Sequence, residues 1–278
     1  MRVLSTVSEV RKVVQESQRP VGLVPTMGFF HEGHLSLMRA ARETCATVVV
    51  SIFVNPLQFG PREDLDAYPR DLPRDLAMAE GVGVDLVFAP GVQEMYPERQ
   101  LACVEVEKIS EGLCGAKRPG HFRGVATVVA KLFNIVQPDA AFFGQKDAQQ
   151  LQVIRRMVQD LNFPVTIVPC SIVREPDGLA MSSRNVYLTP EERRAAVVLY
   201  RSLKRAENLI AGGEHDAGKI ESFLAESIAS EPLARLDYAE VRALPDLAAK
   251  PVLSGEVILA VAAYFGRARL IDNLIVRV

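Results

Sequence analysis

Two histidines three residues apart, in the string His31-Glu32-Gly33-His34, are the side chains best suited to do chemistry. Apolar residues with helical spacing follow at once, which predicts that the pair lies at a helix N-terminus. Helix N-termini favour anions because their first backbone N–H groups are unpaired. Imidazoles there can donate hydrogen bonds to phosphate oxygens and stabilise developing charge. The pattern therefore favours phosphate chemistry.

Two other interpretations of this histidine pair are possible. The spacing can chelate zinc, but His121 and His215 are the only other histidines in the sequence. No thiolate cluster completes a zinc site. The four cysteines are scattered along the chain, at Cys45, Cys103, Cys114 and Cys170. Packing histidines with no chemical role are the second alternative.

Asn55 and Gln58 follow the second predicted strand and form another polar cluster. Their side chains supply neutral donors and acceptors that suit a small polar substrate. Asn55-Pro56 is also a common turn sequence, so this cluster alone does not establish a site.

A third cluster, Gly144-Gln145-Lys146-Asp147, joins a predicted strand to a predicted helix. Gly144 lets the backbone approach a nucleotide closely, and Lys146 can pair with phosphate. Asp147 and Gln150 have the spacing of a capping box, which gives both a structural interpretation. Gln150 also begins the apolar face of this helix, where a ligand contact is the alternative.

The fourth cluster is Met181-Ser182-Ser183-Arg184-Asn185. Hydroxyls and a guanidinium on a connector suit a mobile clamp for phosphate. A hydrated linker is the alternative interpretation.

The elements that must position these clusters alternate between short apolar strands and amphipathic helices. The predicted strands cover 21–26, 47–54, 85–89, 140–144 and 165–169. Continuous apolar strands between helices are typical of a parallel sheet covered on both faces. The sequence thus predicts a doubly wound, Rossmann-like α/β domain over residues 1–175. Ligands of such sheets bind beyond the carboxyl ends of the strands, at the topological switch point.

Residues 176–278 predict a second, small α+β domain that can act as a lid. A helix is predicted to start at Thr189, Pro190 and Glu192 and to end at Gly212-Gly213. A second helix is expected over 216–229. Strands over 236–243, 257–265 and 269–276 suit an antiparallel sheet.

Composition narrows the function classes further. The chain has 278 residues and a net charge of −2, with no basic stripe of the kind that binds nucleic acid. No apolar run reaches the roughly 18 residues of a membrane span, and the N-terminus lacks a signal-peptide core. Scattered cysteines suggest reduced thiols and a cytoplasmic location. Neither a GxGxxG fingerprint nor a P-loop is present.

Taken together, the four clusters resemble one family. His31–His34 resembles the HxGH signature of a nucleotidyltransferase superfamily. The strings VPTMGFFHEGH, SIFVNPLQF, YPRD, LFNIVQPDAAFFGQKDAQQL and GLAMSSRN resemble the pantoate–β-alanine ligase family, in its order and spacing. This chain departs from that pattern at two places. Phe29-Phe30 stands where the family usually has a small residue followed by Leu, and Gln145 stands where it usually has Glu.

The resemblance implies a two-step reaction. Pantoate attacks the α-phosphate of ATP to give pantoyl adenylate and pyrophosphate, and β-alanine then displaces AMP to give pantothenate. It also implies a requirement for Mg²⁺, whose ligands stay unknown, and a homodimer.

The resemblance also assigns roles to single residues. His34 is the expected proton donor, with His31, Lys146, Ser182, Ser183 and Arg184 as its catalytic partners. Gln58, Gln150 and Asn55 are the expected substrate contacts. The expected ATP contacts are Met27, Gly28, His31, His34, Gly144, Gln145, Lys146, Asp147, Val173, Met181, Ser182, Ser183 and Arg184.

Two rival functions remain open. One is another HxGH adenylyltransferase, which keeps AMP on its product. The other is a nucleotide-binding module without turnover, although such a module would not need all of these charged and hydroxyl side chains.

Overall fold

A six-stranded parallel sheet forms the larger part of the computed structural model, which describes residues 1–61 and 63–278. Its strands are β1 (Arg2–Leu4), β2 (Val21–Thr26), β3 (Thr47–Ile52), β4 (Leu86–Phe88), β5 (Ala140–Gly144) and β6 (Thr166–Cys170). The spatial order is β1-β4-β3-β2-β5-β6. The predicted doubly wound α/β fold is confirmed. Strand β1 was not predicted, because three residues are too few for a periodic pattern.

Helices cover both faces of this sheet, which is why β2 and β3 are almost wholly apolar. They are α1 (Val7–Gln15), α2 (Glu32–Thr44), α3 (Leu72–Gly81), α4 (Val92–Met95), α5 (Leu113–Lys117), α6 (His121–Val136) and α7 (Ala148–Asp160). Among the described residues, no helix has the length and apolarity needed to cross a bilayer.

The topological switch point lies between β2 and β5. The chain runs outward from β2 through β3 to β4 on one side, then crosses to β5 and β6 on the other. The connections that follow β2 and β5 therefore diverge and leave a crevice at their carboxyl ends. His31 follows β2 and Lys146 follows β5, so two of the predicted clusters meet at this crevice.

The C-terminal part combines three helices with an antiparallel sheet in the order β7-β8-β9. Its elements are α8 (Pro190–Ala195), α9 (Val198–Ala211), α10 (Ala217–Ala229), β7 (Ala234–Ala243), β8 (Glu256–Phe265) and β9 (Ala268–Arg277). Thr189 and Glu192 form the predicted capping box. The single helix predicted up to Gly212 is wrong, because the chain breaks at residues 196–197 and begins α9 afresh.

The two faces of the antiparallel sheet pack against different parts of the chain. On β8, Val257, Leu259 and Val261 join the apolar cluster of α9 and α10. Ile258 and Ala260 point the other way and join the main cluster of the parallel-sheet region. This follows from the alternation of side chains along a strand. The parts of the chain on the two sides of residue 175 therefore share a core.

Candidate functional site

A cavity of about 230 Å³ opens at the switch point and gathers most of the predicted residues. Its lining includes Met27, His31, His34, Gln58, Gly144, Lys146, Asp147, Gln150, Val173, Met181, Ser182, Ser183 and Arg184. These residues come from all four sequence clusters. The fold thus brings together side chains that are far apart in the chain.

The two histidines of the first cluster are fixed by hydrogen bonds at the start of α2. His31 is the N-cap residue, and its Nδ1 accepts from Gly33 N at 3.1 Å. His34 Nδ1 in turn accepts from His31 N at 3.3 Å. The ring centroids are 4.1 Å apart. The pair therefore forms a reciprocal cap that no sequence signature of a Ser- or Thr-based capping box would reveal.

These contacts define the protonation of both rings. Because each Nδ1 accepts a backbone N–H, the hydrogen of each neutral imidazole lies on Nε2. Burial lowers the pKa of His31 to about 4, and the neighbouring Lys146 ammonium contributes to this effect. Burial also lowers the pKa of His34 well below its ordinary value. At neutral pH the cavity therefore presents two neutral Nε2–H donors.

Gln58 lies at the end of a 3₁₀ turn, Pro56–Gln58, which follows β3. Its Nε2 approaches the Met27 sulfur at 2.9 Å, and its Oε1 accepts from Asn55 Nδ2 at 3.2 Å. The amide is therefore held in one orientation at the cavity wall. Gln150 stands in the first turn of α7 and also lines the cavity.

Asn55 does not line the cavity, although it was expected among the substrate contacts. Its side chain is 1% exposed, and its Nδ2 also donates to Gly124 O at 3.1 Å. Its Oδ1 accepts from Leu57 N and from the Tyr96 hydroxyl. Every polar atom of this amide already has a partner, so Asn55 acts on Gln58 and not on the cavity.

Asp147 is the N-cap residue of α7 but makes no capping hydrogen bond with its side chain. Of the two interpretations, the capping box is therefore absent, and both residues line the cavity. Lys146 forms no ion pair with any residue that the structure describes. Its backbone carbonyl accepts from Asn273 Nδ2 at 2.9 Å, which ties the loop to β9.

Gly28 and Gln145 do not line the cavity, although both were expected to contact ATP. Gly28 has φ +84° and forms the turn behind the first cluster. Gln145 offers its backbone carbonyl to Asn273 Nδ2 at 3.0 Å. Both therefore shape the backbone beside the predicted contacts.

The fourth cluster reaches the cavity from the connector between the two parts of the chain. Ser182 caps the 3₁₀ turn Ser183–Tyr187, since its Oγ accepts from Arg184 N at 3.3 Å. Ser183 Oγ donates to Phe29 O at 3.3 Å. Arg184 forms a bidentate ion pair with Asp64, at 2.9 and 2.8 Å. A guanidinium in this geometry also suits a phosphate.

A second cavity of about 800 Å³ adjoins the first and lies between the parallel-sheet part and the antiparallel sheet. Both are lined by Lys146, Asp147, Gln150, Ser182 and Arg184. Across residues 1–61 and 63–278, no three His, Cys, Asp or Glu side chains are grouped to hold a metal ion. A metal held here would need ligand atoms from a bound substrate.

Sequence reasoning missed a network around His121 at the junction of the cavities. His121 Nε2 lies 2.9 Å from Arg118 Nη1, and its Nδ1 lies 2.8 Å from Gln58 O. Arginine can only donate, so Nε2 accepts and the hydrogen lies on Nδ1. Arg118 also pairs with Glu63 at 2.8 Å. Burial lowers the pKa of His121 to about 4, and the Arg118 charge adds to this effect.

Sequence reasoning also missed Asp75, which lies in α3. Its carboxylate accepts hydrogen bonds from Phe29 N and Phe30 N, both at 2.7 Å. The separation of 45 residues between Asp75 and Phe30 leaves no local pattern, so only the fold brings them together.

Comparison with known proteins supports the resemblance along the whole chain. The model of the pantoate-beta-alanine ligase family matches residues 2–275. Pantothenate synthetase of Heliobacterium modesticaldum is 57% identical over 281 residues, which is 100% of both chains. The pantothenate synthetase of Pelotomaculum thermopropionicum is 56% identical over 278 residues, 99% of each chain.

Solved structures agree with these relatives. Pantothenate synthetase from Thermus thermophilus superposes with a TM-score of 0.94 at 50% identity and covers 99% of both chains. A pantoate-beta-alanine ligase from Francisella tularensis, complexed with β-γ ATP and β-alanine, has a TM-score of 0.81 at 32% identity. That match covers 99% of this chain and 97% of the other. The chain therefore belongs to the pantoate–β-alanine ligase family, the enzymes that join pantoate to β-alanine.

Proposed function

We propose that this ligase joins pantoate and β-alanine in two steps within the cavity at the switch point. First, a pantoate carboxylate oxygen bonds to the α-phosphorus of ATP. The bond between this phosphorus and the oxygen that bridges it to the β-phosphate breaks, and pyrophosphate leaves. Second, the β-alanine amine bonds to the acyl carbon of pantoyl adenylate, loses a proton, and AMP leaves. The observation that carries this proposal is the convergence of the four clusters on one cavity.

Pantoate fits the part of the cavity between Gln58 and Gln150. The two amides offer donors and acceptors to its hydroxyl and carboxylate groups. Val128, Val129 and Leu132 form an apolar wall that suits its dimethyl carbon. The fixed orientation of Gln58 limits the entropy lost on binding.

The ATP phosphates fit beside the histidines and Lys146. Neutral Nε2–H groups of His31 and His34 can donate to phosphate oxygens, and the Lys146 ammonium can offset the charge that builds up on pyrophosphate. A bound polyphosphate would also raise the pKa of both rings, because a nearby negative charge favours the imidazolium. This supports His34 as the proton donor of the loaded site.

Arg184 and Ser182 suit the outer phosphates, and the wider cavity beyond them suits the exit of pyrophosphate and the approach of β-alanine. Val173 and Met181, joined by a 3.0 Å backbone hydrogen bond, suit the nucleoside. The Francisella relative was solved with β-γ ATP and β-alanine, which supports the same two ligands here.

Mg²⁺ fits this site as the partner of the nucleotide. Magnesium bound to ATP typically takes one or two carboxylates together with phosphate oxygens and water. Asp147 supplies a carboxylate that lines both cavities and makes no capping hydrogen bond at the start of α7. When bound there, Mg²⁺ would neutralise phosphate charge.

The resemblance further supports a homodimer in the cytoplasm. The four cysteines are free, as a reducing compartment requires. Light scattering tests the dimer, since a mass of twice the 30.5 kDa of one chain is expected. A mass of one chain at micromolar concentration would contradict it.

A coupled assay for AMP tests the proposed reaction, with pantoate, β-alanine or ATP omitted in turn. Under multiple-turnover conditions, AMP should form only when all three substrates are present. AMP release that does not depend on β-alanine would contradict the ligase reaction, and an adenylated product that retains AMP would favour another adenylyltransferase. Nucleotide binding without turnover would favour a binding module.

The variant His34→Ala tests the assigned donor. Loss of this group should lower the single-turnover rate of adenylate formation about 10²–10⁴-fold. Leu35→Ala, next to it on α2 and outside the cavity lining, is the matched control. An adenylation rate close to that of the unaltered chain in His34→Ala would refute the role.

A further inference from the structure

We propose that Asp75 is a positioning residue that sets the place of both catalytic imidazoles. It does so by fixing the turn at Gly28-Phe29 that precedes them. This inference rests on the proposed function, because it concerns the same histidines.

The carboxylate of Asp75 is aimed at the backbone of the turn. The side chain is 1% exposed, and Oδ2 accepts from Phe29 N while Oδ1 accepts from Phe30 N, both at 2.7 Å. Two consecutive amides bound to one buried carboxylate leave the turn little freedom to rotate.

The turn itself needs such an anchor. Gly28 has φ +84° and Phe29 has φ +53°, so two consecutive residues are left-handed. This conformation is unfavourable for a phenylalanine, which has a Cβ atom. A Cβ added to Gly28 would lie 2.9 Å from Asp75 Oδ2 and 3.0 Å from the Ile52 side chain. The glycine is therefore required by the closeness of the carboxylate.

Asp75 is connected to the histidines by only one further residue. Phe30 is 1% exposed, and its ring packs 5.4 Å from that of His34. His31 follows immediately and donates its backbone N–H to His34 Nδ1. A shift of the turn would thus move the N-cap and the second ring together.

The same turn is held from its other side by the fourth cluster. Phe29 O accepts from Ser183 Oγ at 3.3 Å, while Phe29 N donates to Asp75. Arg74 stacks on the Phe29 ring at 5.2 Å, which suits the aromatic residue that this chain has where the family usually has a small one. Asp75 is therefore the fixed side of a clamp whose other side is the connector.

Helix capping does not account for Asp75. The cap of α3 is Asp71, whose Oδ1 accepts from Arg74 N at 3.1 Å. Asp71→Ala therefore weakens the same helix without touching the turn, and it is the matched control for variants of Asp75.

The test compares Asp75→Ala, Asp75→Asn and Asp71→Ala with the unaltered chain. We expect Asp75→Ala to lower kcat for pantoate-dependent AMP formation about 10–100-fold, because a displacement near 1 Å can cost that much. KM for pantoate should stay within about twofold, since Gln58 and Gln150 stand on other elements. Asp75→Asn keeps the side-chain volume, so this variant should fold. Its NH₂ group is aimed at one of the two backbone amides, so its kcat should be reduced.

Imidazole nitrogen NMR provides a readout that needs no turnover. The ¹⁵N signals of His31 and His34 should move in both Asp75 variants and stay in place in Asp71→Ala. Unmoved signals together with an unchanged kcat in Asp75→Asn would overturn the inference. An equal loss of kcat in Asp71→Ala would also overturn it, because helix stability would then explain the effect. If the unaltered chain forms no AMP, the proposed function fails, and the NMR comparison alone decides on Asp75.

Discussion

Acidification should destabilise the chain through His121, and the size of the effect follows from its contacts. The ring is neutral because it donates to Gln58 O and accepts from Arg118, and burial lowers its pKa to about 4. In the unfolded chain a histidine titrates at about 6.5. Between these two values the unfolded state binds the proton and the folded state does not. Stability is therefore lost as the pH falls from about 6.5 toward 4.

The free energy of unfolding should be about 2 kcal/mol lower at pH 5 than at pH 8 because of His121 alone. This loss is a difference between two free energies of protonation at pH 5. The first is that of the histidine in the unfolded chain, where its pKa is about 6.5, and the second is that of His121 in the folded chain, where its pKa is about 4. His31 and His34 should add losses of the same sign, so the contribution of His121 must be isolated by a variant.

His121→Asn isolates it, because the Asn amide can still donate to Gln58 O and does not titrate. Urea unfolding followed by circular dichroism would give the free energy of unfolding of both chains at pH 8, 7.5, 6 and 5. The unaltered chain should lose about 2 kcal/mol more than the variant between pH 8 and 5. Between pH 8 and 7.5 the two curves should run parallel, which is the internal control. Parallel curves down to pH 5 would show that the network does not hold His121 neutral.

Two further predictions concern the loop that carries Lys146. Gln145→Glu restores the commoner family residue and leaves the Asn273 contact intact, since that contact uses the Gln145 backbone. It should change KM for ATP by no more than about twofold in the AMP assay, and loss of ATP binding would show that Gln145 matters by itself. Asn273→Ala removes the donor shared by the carbonyls of Gln145 and Lys146, so it should lower the free energy of unfolding by about 1–3 kcal/mol and raise KM for ATP. An unchanged KM in titrations with ATP would contradict a link between β9 and this loop.

The sequence predicted most of the sheet because β2 and β3 are apolar and bounded by turn residues. It placed three of the clusters at strand ends and the fourth on the connector, and all four contribute residues to the cavity at the switch point. It did not predict the contacts of Asp75 with Phe29 and Phe30 or that of Arg118 with Glu63, because these partners lie 45 to 55 residues apart in the chain.

Tertiary contacts override some of the local patterns in the sequence. Asp147 has the type and position of a cap, yet its side chain makes no capping hydrogen bond. Asn55 follows a strand end like a ligand contact, but Tyr96 and Gly124 occupy its amide. The break before α9 falls in a run of good helix formers, where no proline or glycine marks it.

The two-sided packing of the antiparallel sheet has a consequence for dissecting this enzyme. Ile258 and Ala260 belong to the main apolar cluster, and Asp272 on β9 binds Arg174 through two hydrogen bonds at 2.6 and 2.9 Å. A protein cut after residue 175 would expose that apolar surface to water and leave the Arg174 guanidinium without its carboxylate. The parallel-sheet half should therefore not be obtainable as a separate soluble fragment, and any rearranged version of the chain must keep β8 and β9 beside it.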